Sequence, residues 1–322
     1  MTSRSIALLQ PPRGDMEEVE RLLHETLSAA GEPLSSALRP LLDGGKRLRP
    51  ALVILTAYLF DRRPRPFYRL AAAVELLHTA TLIHDDVVDD ADLRRGRATL
   101  HSVWPRRATV LAGDYLLAQS VSLAAALNEP RVVGVLAETL RTMSSGEIRQ
   151  LFASRRQDSR RRQYYRSIDA KSASLFAAAT TMAGILAGAD EPGIAALQRF
   201  GWELGMAFQI VDDVLDFVGT DEQLGKPAGS DLRQGLLTLP TLYYLERVEK
   251  EIVVGSVLAG ERDEAHLRSA MEAVISSGAI EASLSEAEAY IERSVEALSV
   301  LPDNDARQRM AALARHTLER KH

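Results

Sequence analysis

Residues 82–90 of the chain read LIHDDVVDD, directly after an apolar helical run, LAAAVELL, at positions 70–77. Aspartate is a poor helix former and is costly to bury without a partner, so four carboxylates beside Leu, Ile and Val need an explanation. The pattern returns in residues 208–217, FQIVDDVLDF. Both copies read Asp-Asp-x-x-Asp, and both are flanked by apolar residues.

The spacing of these aspartates predicts a shared function. On a helix, residues four apart share a face, so Asp85 points the same way as Asp89, and Asp212 the same way as Asp216. One such cluster alone is compatible with a solvated helix end, but the apolar neighbours argue against that interpretation for the pair. Two such faces turned towards each other would form an all-oxygen ligand set, which Mg²⁺ prefers.

The composition favours a helical protein. The 322 residues are 46% hydrophobic but only 5% aromatic, and nearly every long segment shows helical spacing without a clear alternating strand. No linker or low-complexity tract marks a domain boundary. We therefore expect an all-α fold with a single domain over residues 1–322.

Charge and cysteine content exclude several function classes. The formal net charge of −5 gives no reason to expect nucleic-acid binding, and the lack of cysteine excludes disulfides, a thiolate nucleophile and cysteine metal sites. The apolar run at 6–9 is too short for a signal-peptide core, and no apolar run approaches the roughly 20 residues needed to cross a membrane. We expect a soluble cytoplasmic protein without a transmembrane segment.

Cationic side chains accompany the aspartates. Residues 44–49, GGKRLR, combine a flexible turn with three positive charges at a helix start, where backbone N–H groups favour anions. Arg94 and Arg95 follow the first Asp cluster, and arginine forks match phosphate oxygens. Each group alone is also compatible with an ordinary basic turn or a salt bridge. A pocket that contains both aspartate carboxylates and Lys/Arg side chains is explained if magnesium-bound diphosphate bridges the two sets of charges.

These stretches resemble the trans-type isoprenyl diphosphate synthases, the polyprenyl synthetase family, over almost the whole chain. The residues that carry the resemblance are Gly44 to Pro50, Leu82 to Gly96, Gly146 to Gln150, Lys171-Ser172, Phe208 to Asp216 and Gly225 to Pro227. The resemblance implies a helical bundle of the isoprenoid synthase type with a central cavity, and a homodimer packed through long helices.

The resemblance also implies a reaction and a set of site residues. An allylic diphosphate would bind through about three Mg²⁺ ions, lose its diphosphate and be attacked by the double bond of isopentenyl diphosphate. The implied metal ligands are Asp85, Asp89 and Asp212, with Asp86, Asp213 and Asp216 in support. The implied contacts of the allylic diphosphate are Arg94, Lys171, Ser172, Gln209 and Lys226. The implied contacts of isopentenyl diphosphate are Lys46, Arg49, His78 and Arg95.

The chain departs from the family pattern at three positions. Lys171-Ser172 stands where Lys-Thr is usual, so the hydroxyl is kept. Leu236 stands where many members have a lysine, which removes one phosphate contact. Asp90 stands where Glu is frequent, which keeps the charge.

The length of the product can be argued from helix geometry. Short-chain members carry a bulky aromatic four or five residues before the first Asp, where this chain has Ala80 and Thr81. One helical turn, about 5.4 Å, deeper lies Leu77, again without aromatic bulk. We expect an all-trans product longer than farnesyl; a geranylgeranyl product is the alternative if another helix closes the tunnel.

Three other classes share part of this pattern. Di-metal carboxylate oxidases and ferritin-like bundles use pairs of Glu-x-x-His; here Glu75 to His78 is one such motif, and the other, Glu319 to His322, is at a terminus. Class I terpene cyclases share the first Asp-rich motif but build the second on Asn, Ser/Thr and Glu. A non-catalytic subunit of a two-component synthase would be expected to lose the Asp clusters, and both are present.

Overall fold

The computed structural model of the protein describes residues 11–43, 45–94, 96–152, 160–220, 228–248 and 253–321. Helices dominate these ranges, so the prediction of an all-α protein is confirmed. The α-helices in chain order are α1 Arg13–Ser28, α2 Leu34–Leu42, α3 Leu48–Leu59, α4 Arg65–Val88, α5 Leu100–Val103, α6 Arg106–Ala125, α7 Pro130–Leu151, α8 Arg160–Ile168, α9 Ser174–Ala187, α10 Glu191–Val218, α11 Ser230–Gln234, α12 Leu239–Arg247, α13 Val253–Ala259, α14 Glu264–Ser276, α15 Ala279–Ala297 and α16 Asp305–His316.

The chain divides into two compact units, each built from separate stretches of sequence. The first comprises Met1–Arg141, Leu175–Gly201 and Val295–Leu313. The second comprises Thr142–Ser174, Trp202–Ser294 and Ala314–His322. The first Asp motif therefore belongs to the first unit and the second motif to the second. The expectation of a single domain over residues 1–322 stays a prediction.

In the first unit, α4 packs against α1, α3 and α6. Its residues 70–77 are all buried. Residues 71–73 are alanines, whose small side chains let neighbouring helices approach closely. Ser120 on α6 donates a hydrogen bond to the backbone carbonyl of Ala73 at 2.7 Å. A helix buried on all sides holds the Asp motif at its C-terminal end in a fixed place.

The second unit has its own apolar core. Val214 and Phe217 on α10 contribute to it and flank the second Asp motif. The other members come from α11 to α15 and are Leu232, Tyr244, Val254, Val257, Leu267, Ala270, Val274, Ala279 and Ile280. The second motif is thus anchored to a core of several helices.

A polar cluster fixes α8 within this second unit. The guanidinium of Arg161 donates to Glu246 at 2.8 Å and to Tyr243 at 3.0 Å, both on α12. It also donates to Glu286 on α15 at 3.2 Å. The cluster therefore joins α8 to α12 and α15 within the second unit.

Two local elements differ from the sequence-based expectation. A short antiparallel ladder, β1 Leu93–Arg94 and β2 Arg97–Ala98, follows the first Asp motif, where no strand was expected. The regular helical spacing expected for the long segments is also interrupted by a π-helical turn at Asp169–Ala173, between α8 and α9. Such turns often occur at functional sites, and this one carries Lys171.

Two helical stretches, Arg106–Ala125 and Arg160–Ala187, have the length and hydropathy of a membrane span. This finding qualifies the expectation that no apolar segment is long enough to cross a membrane. The apolar window of the second stretch is 83% buried within the protein, as in a core helix, whereas that of the first is only 33% buried. Arg106–Ala125 therefore presents apolar surface.

A pair of glycines tests the packing of the first unit. A Cβ at Gly201 would lie 2.5 Å from the backbone oxygen of Phe176 and 2.8 Å from the Cα of Ala177, whereas nothing lies within 4 Å of a Cβ at Gly134. We expect Gly201→Ala to destabilise the protein by about 1–3 kcal/mol through overpacking. Gly134→Ala in α7 should stabilise it by about 0.5–1 kcal/mol. Thermal unfolding measures both, and equal shifts would contradict this packing.

Candidate active site

The first Asp motif lies at the C-terminal end of α4. Asp86 is only 4% exposed, Asp85 is half-buried and Asp89, the C-cap residue, is exposed. Successive helical residues turn by about 100°, so adjacent aspartates cannot share a direction. The motif therefore separates one inward carboxylate from two that reach solvent.

Asp86 is held by an arginine of the short ladder. The Nε of Arg94 donates to the Oδ1 of Asp86 at 2.7 Å. Burial raises the pKa of Asp86, and the charge and hydrogen bond of Arg94 oppose that rise. The sequence predicted Arg94 as a diphosphate contact, and the structure adds this contact with the motif itself.

Asp90 is not part of the ligand face. Its backbone has a φ of +53°, a left-handed conformation that Asp tolerates better than most residues. Its carboxylate lies 3.1 Å from the Nε2 of His101 and 3.3 Å from Arg106. Arg106 also donates to the carbonyl of Val87. Asp90 thus connects the end of α4 to the start of α6.

The three cationic side chains of the basic turn before α3 lie in different environments. Lys46 is exposed, whereas Arg47 and Arg49 are buried. The guanidinium carbon of Arg49 lies 4.2 Å from the centre of the Phe176 ring, within the range of a cation–π contact. Lys46 is therefore the most accessible of the three for an anion.

Arg47 has a structural role that sequence reasoning missed. It occupies the N-cap of α3 with a φ of +47°. Its guanidinium contacts Glu20 and Glu75, each at 2.6 Å, and the carbonyl of Leu42. The two glutamates are 27 and 28 positions away from Arg47, so no local signal reveals these ion pairs. Because Glu75 serves this buried ion pair, the Glu75–His78 motif does not provide a free carboxylate for a di-metal site.

The predicted chain-length residues also lie on α4. Leu77 and Ala80 are buried, and Thr81 is half-buried. The hydroxyl of Thr81 donates to the carbonyl of His78 at 2.8 Å. His78 itself is half-buried.

The second Asp motif, on α10, exposes Asp212 and buries both Asp213 and Asp216. The predicted common face of Asp212 and Asp216 is divided because α11 begins against Asp216. Its carboxylate accepts from Ser230 Oγ at 2.8 Å and from the backbone N–H of Asp231 at 3.0 Å. Asp216 therefore anchors the start of α11, and Asp212 is the outward carboxylate.

Asp213 is a buried carboxylate whose two oxygens each accept a hydrogen bond from a protein side chain. Tyr164 donates to its Oδ2 at 2.6 Å and Gln209 Nε2 to its Oδ1 at 2.9 Å. Ser172 Oγ donates in turn to Gln209 Oε1 at 2.5 Å. Burial raises the pKa of Asp213 well above its usual value, and the negative charge of Asp231 adds to that rise. The hydrogen bonds from Tyr164 and Gln209 oppose it.

Lys171 lies in the π-helical turn with its ammonium 3.1 Å from Glu147 on α7. The side chain is 39% exposed, so it is open to an anion. Gly146 permits this approach, since a Cβ there would lie 2.4 Å from the Cβ of Ala170. The Gly-Glu pair of the family pattern thus brings α7 close to Lys171.

Two predicted phosphate contacts, Arg95 and Lys226, lie outside the described residues, as does Gly44. Among the described residues, no three His, Asp or Glu side chains are grouped closely enough to hold a metal ion alone. The outward carboxylates Asp85, Asp89 and Asp212 are hard oxygen donors. They suit Mg²⁺, which commonly takes one or two carboxylates and completes its shell with water and substrate phosphate.

Comparison with known proteins identifies the family. The polyprenyl synthetase family model matches residues 32–274. The chain is 43% identical to heptaprenyl diphosphate synthase component 2 of Geobacillus stearothermophilus, with 92% of each chain covered. It is 36% identical to octaprenyl diphosphate synthase of Escherichia coli, with 86% of each covered.

A solved structure agrees with these relatives. A polyprenyl synthase from Caulobacter crescentus, complexed with calcium and isoprenyl diphosphate, is 38% identical and superimposes with a TM-score of 0.89. The match covers 96% of this chain and 95% of that one. The resemblance found in the sequence is confirmed, and the chain belongs to the polyprenyl synthetase family.

Proposed function

We propose that the protein is a prenyltransferase that joins an allylic diphosphate to isopentenyl diphosphate and releases diphosphate. The product is an all-trans polyprenyl diphosphate longer than farnesyl. The observation that carries this proposal is the pair of Asp motifs, each with its inner carboxylate satisfied by protein donors and at least one carboxylate directed outwards. The names of the heptaprenyl and octaprenyl relatives support it.

Each residue implied by the family resemblance has a task in the proposed site. Asp85, Asp89 and Asp212 would hold Mg²⁺, which would neutralise the charge of the departing diphosphate. Arg94, Lys171 and Gln209, with Lys226, bind the allylic diphosphate. Lys46, Arg49 and His78, with Arg95, bind isopentenyl diphosphate without metal.

The chemistry follows from this placement. The bond between C1 of the allylic substrate and the diphosphate oxygen breaks, and the electron pair leaves with the diphosphate. The double bond of isopentenyl diphosphate then forms the new carbon–carbon bond to C1. Loss of one proton from C2 of the former isopentenyl unit to the released diphosphate restores a double bond, so no protein nucleophile is needed.

Removing one outward carboxylate tests the metal assignment. We expect Asp89→Asn and Asp212→Asn each to lower the turnover number about 100-fold or more, because the leaving diphosphate loses electrostatic stabilisation. Diphosphate release at varied Mg²⁺ concentration measures this effect, and circular dichroism checks that the fold persists.

The matched control is Asp305→Asn, which changes an aspartate that is 75% exposed and pairs with Arg309 on the surface. Its turnover number should equal that of the wild type. Near-normal rates in both motif variants would contradict the assignment of these aspartates to the metal.

The product length is proposed from the small side chains on α4. Ala80 and Thr81 offer no aromatic barrier before the motif, and Leu77 offers none one turn deeper. A geranylgeranyl product remains the alternative if a side chain from another helix ends the tunnel. Mass spectrometry of the products from farnesyl diphosphate, isopentenyl diphosphate and Mg²⁺ separates twenty-carbon from longer chains.

An aromatic side chain in place of Thr81 should shorten the product. We expect Thr81→Phe to shift the longest product to about fifteen or twenty carbons, because the ring would close the path within one helical turn of the motif. Val300→Phe, at a position that is 73% exposed, is the control and should leave the distribution unchanged. Products no longer than fifteen carbons from the wild type would refute the open-tunnel argument.

The relative named component 2 favours a second possibility, in which the chain needs a partner subunit for activity. Both Asp motifs are present here, so the chain would be the catalytic component. The same product assay on the purified chain decides between the two. Activity without any other protein supports a self-sufficient enzyme, and activity that appears only with a partner supports a two-component one.

We further propose that α6 forms the contact of a homodimer. Its side chains Val110 and Val121 are each 37% exposed, and Leu111 is 66% exposed. A second copy of the chain would cover this face through a two-fold contact in which the same residues meet their counterparts.

A negative charge introduced on the exposed apolar face of α6 tests the proposed dimer contact. We expect wild-type protein to sediment as a dimer and Leu111→Glu as a monomer, because a two-fold contact would bring two buried carboxylates together. Val300→Glu, an equally large change at an exposed site, should remain dimeric. A monomeric wild type would contradict the proposal.

A further inference from the structure

We propose that Tyr164 is a positioning residue for the second Asp motif, acting through Asp213 together with Gln209 and Ser172. The inference rests on the proposed prenyl transfer for the chemistry that the motif serves. Nothing in the sequence pattern singles out Tyr164, because its partner is 49 positions away.

Each oxygen of Asp213 has its own donor. Tyr164 on α8, 6% exposed, donates to Oδ2, and Gln209, one turn before Asp213 on α10, donates to Oδ1. Asp213 is 4% exposed, so bulk water does not replace a lost donor. Donors from two helices fix both the rotamer of Asp213 and the separation of α8 from α10.

The same chain of hydrogen bonds sets the orientation of Gln209. Its Oε1 can only accept, so the contact with Ser172 requires the serine to donate its single hydroxyl proton there. The amide nitrogen must then face Asp213, where one of its two protons is used. The second amide proton is the donor that Gln209 offers to a diphosphate oxygen. Ser172 therefore orients Gln209, rather than donating to the diphosphate itself as the sequence suggested.

The orientation of Asp212 depends on the same hydrogen bonds to Asp213. Asp212 and Asp213 are neighbours about 100° apart on one helix. The hydrogen bond from Tyr164 holds Asp213 on the inner side, and the shared backbone of α10 transmits a change in this contact to Asp212. Removing the tyrosine hydroxyl loosens both Asp212 and Gln209 without altering either side chain.

The adjacent tyrosine provides a matched control. Tyr165 lies on the same helix, but its hydroxyl donates to Glu286, within the polar cluster of Arg161 and Tyr243. Tyr164→Phe and Tyr165→Phe each remove one hydroxyl from α8. Only the first removes a donor from the Asp motif.

Steady-state kinetics separate the two variants. We expect Tyr164→Phe to raise the Mg²⁺ concentration for half-maximal activity and the KM of the allylic diphosphate about tenfold, as the loss of a hydrogen bond to a charged group predicts. The KM of isopentenyl diphosphate should not change. Tyr165→Phe should leave all three values at their wild-type level. In an Asp213→Ala background, which has no side-chain acceptor, Tyr164→Phe should add nothing further, because both changes break the same contact.

Two results would overturn the inference. One is that Tyr164→Phe matches Tyr165→Phe in Mg²⁺ dependence and allylic KM. The other is that its activity falls only in proportion to the folded fraction seen by circular dichroism, with both constants unchanged, which is what a purely structural role predicts.

Failure of the proposed function is distinguishable from failure of this inference. If the wild type transfers no prenyl group, calorimetry with Mg²⁺ and inorganic diphosphate replaces the kinetic assay. Binding about tenfold weaker in Tyr164→Phe than in Tyr165→Phe supports the role of Tyr164, and equal binding overturns it.

Discussion

Two adjacent aspartates on a helix cannot point the same way, and both motifs of this protein depend on that constraint. In each motif the first aspartate, Asp85 or Asp212, reaches solvent, and the second, Asp86 or Asp213, turns into the protein. A buried carboxylate costs several kcal/mol unless it is paired or hydrogen-bonded. The motifs are therefore stable only where the fold supplies donors to the inner oxygens.

The two units supply those donors differently. Asp86 receives a cation, Arg94, from the short ladder that follows its own helix. Asp213 receives neutral donors, Tyr164 and Gln209. Burial raises the pKa of both carboxyls. A cation offsets that rise through its charge as well as its hydrogen bond, whereas neutral donors act through hydrogen bonding alone.

The sequence predicted those features of the structure that depend on helical periodicity. It predicted the all-α fold, the two motifs and the common helical face of Asp85 and Asp89, because these follow from local spacing. It did not predict that Asp216, which shares a helical face with Asp212, is covered by the start of α11. It also missed Arg47 and Tyr164, whose partners lie 27, 28 and 49 positions away. Contacts at such separations depend on how helices pack, which periodicity does not encode.

The hydrogen bond from Arg94 to Asp86 affects which cationic residue can serve at position 94. Arginine holds Asp86 through Nε, the nitrogen nearest its aliphatic stem, while the planar guanidinium carries its remaining donors on two terminal nitrogens. One side chain can therefore hold a carboxylate at its base and face a second anion with its fork. Lysine carries its three donors on a single nitrogen, so at position 94 it could contact both anions only if both lay within hydrogen-bond distance of that one atom.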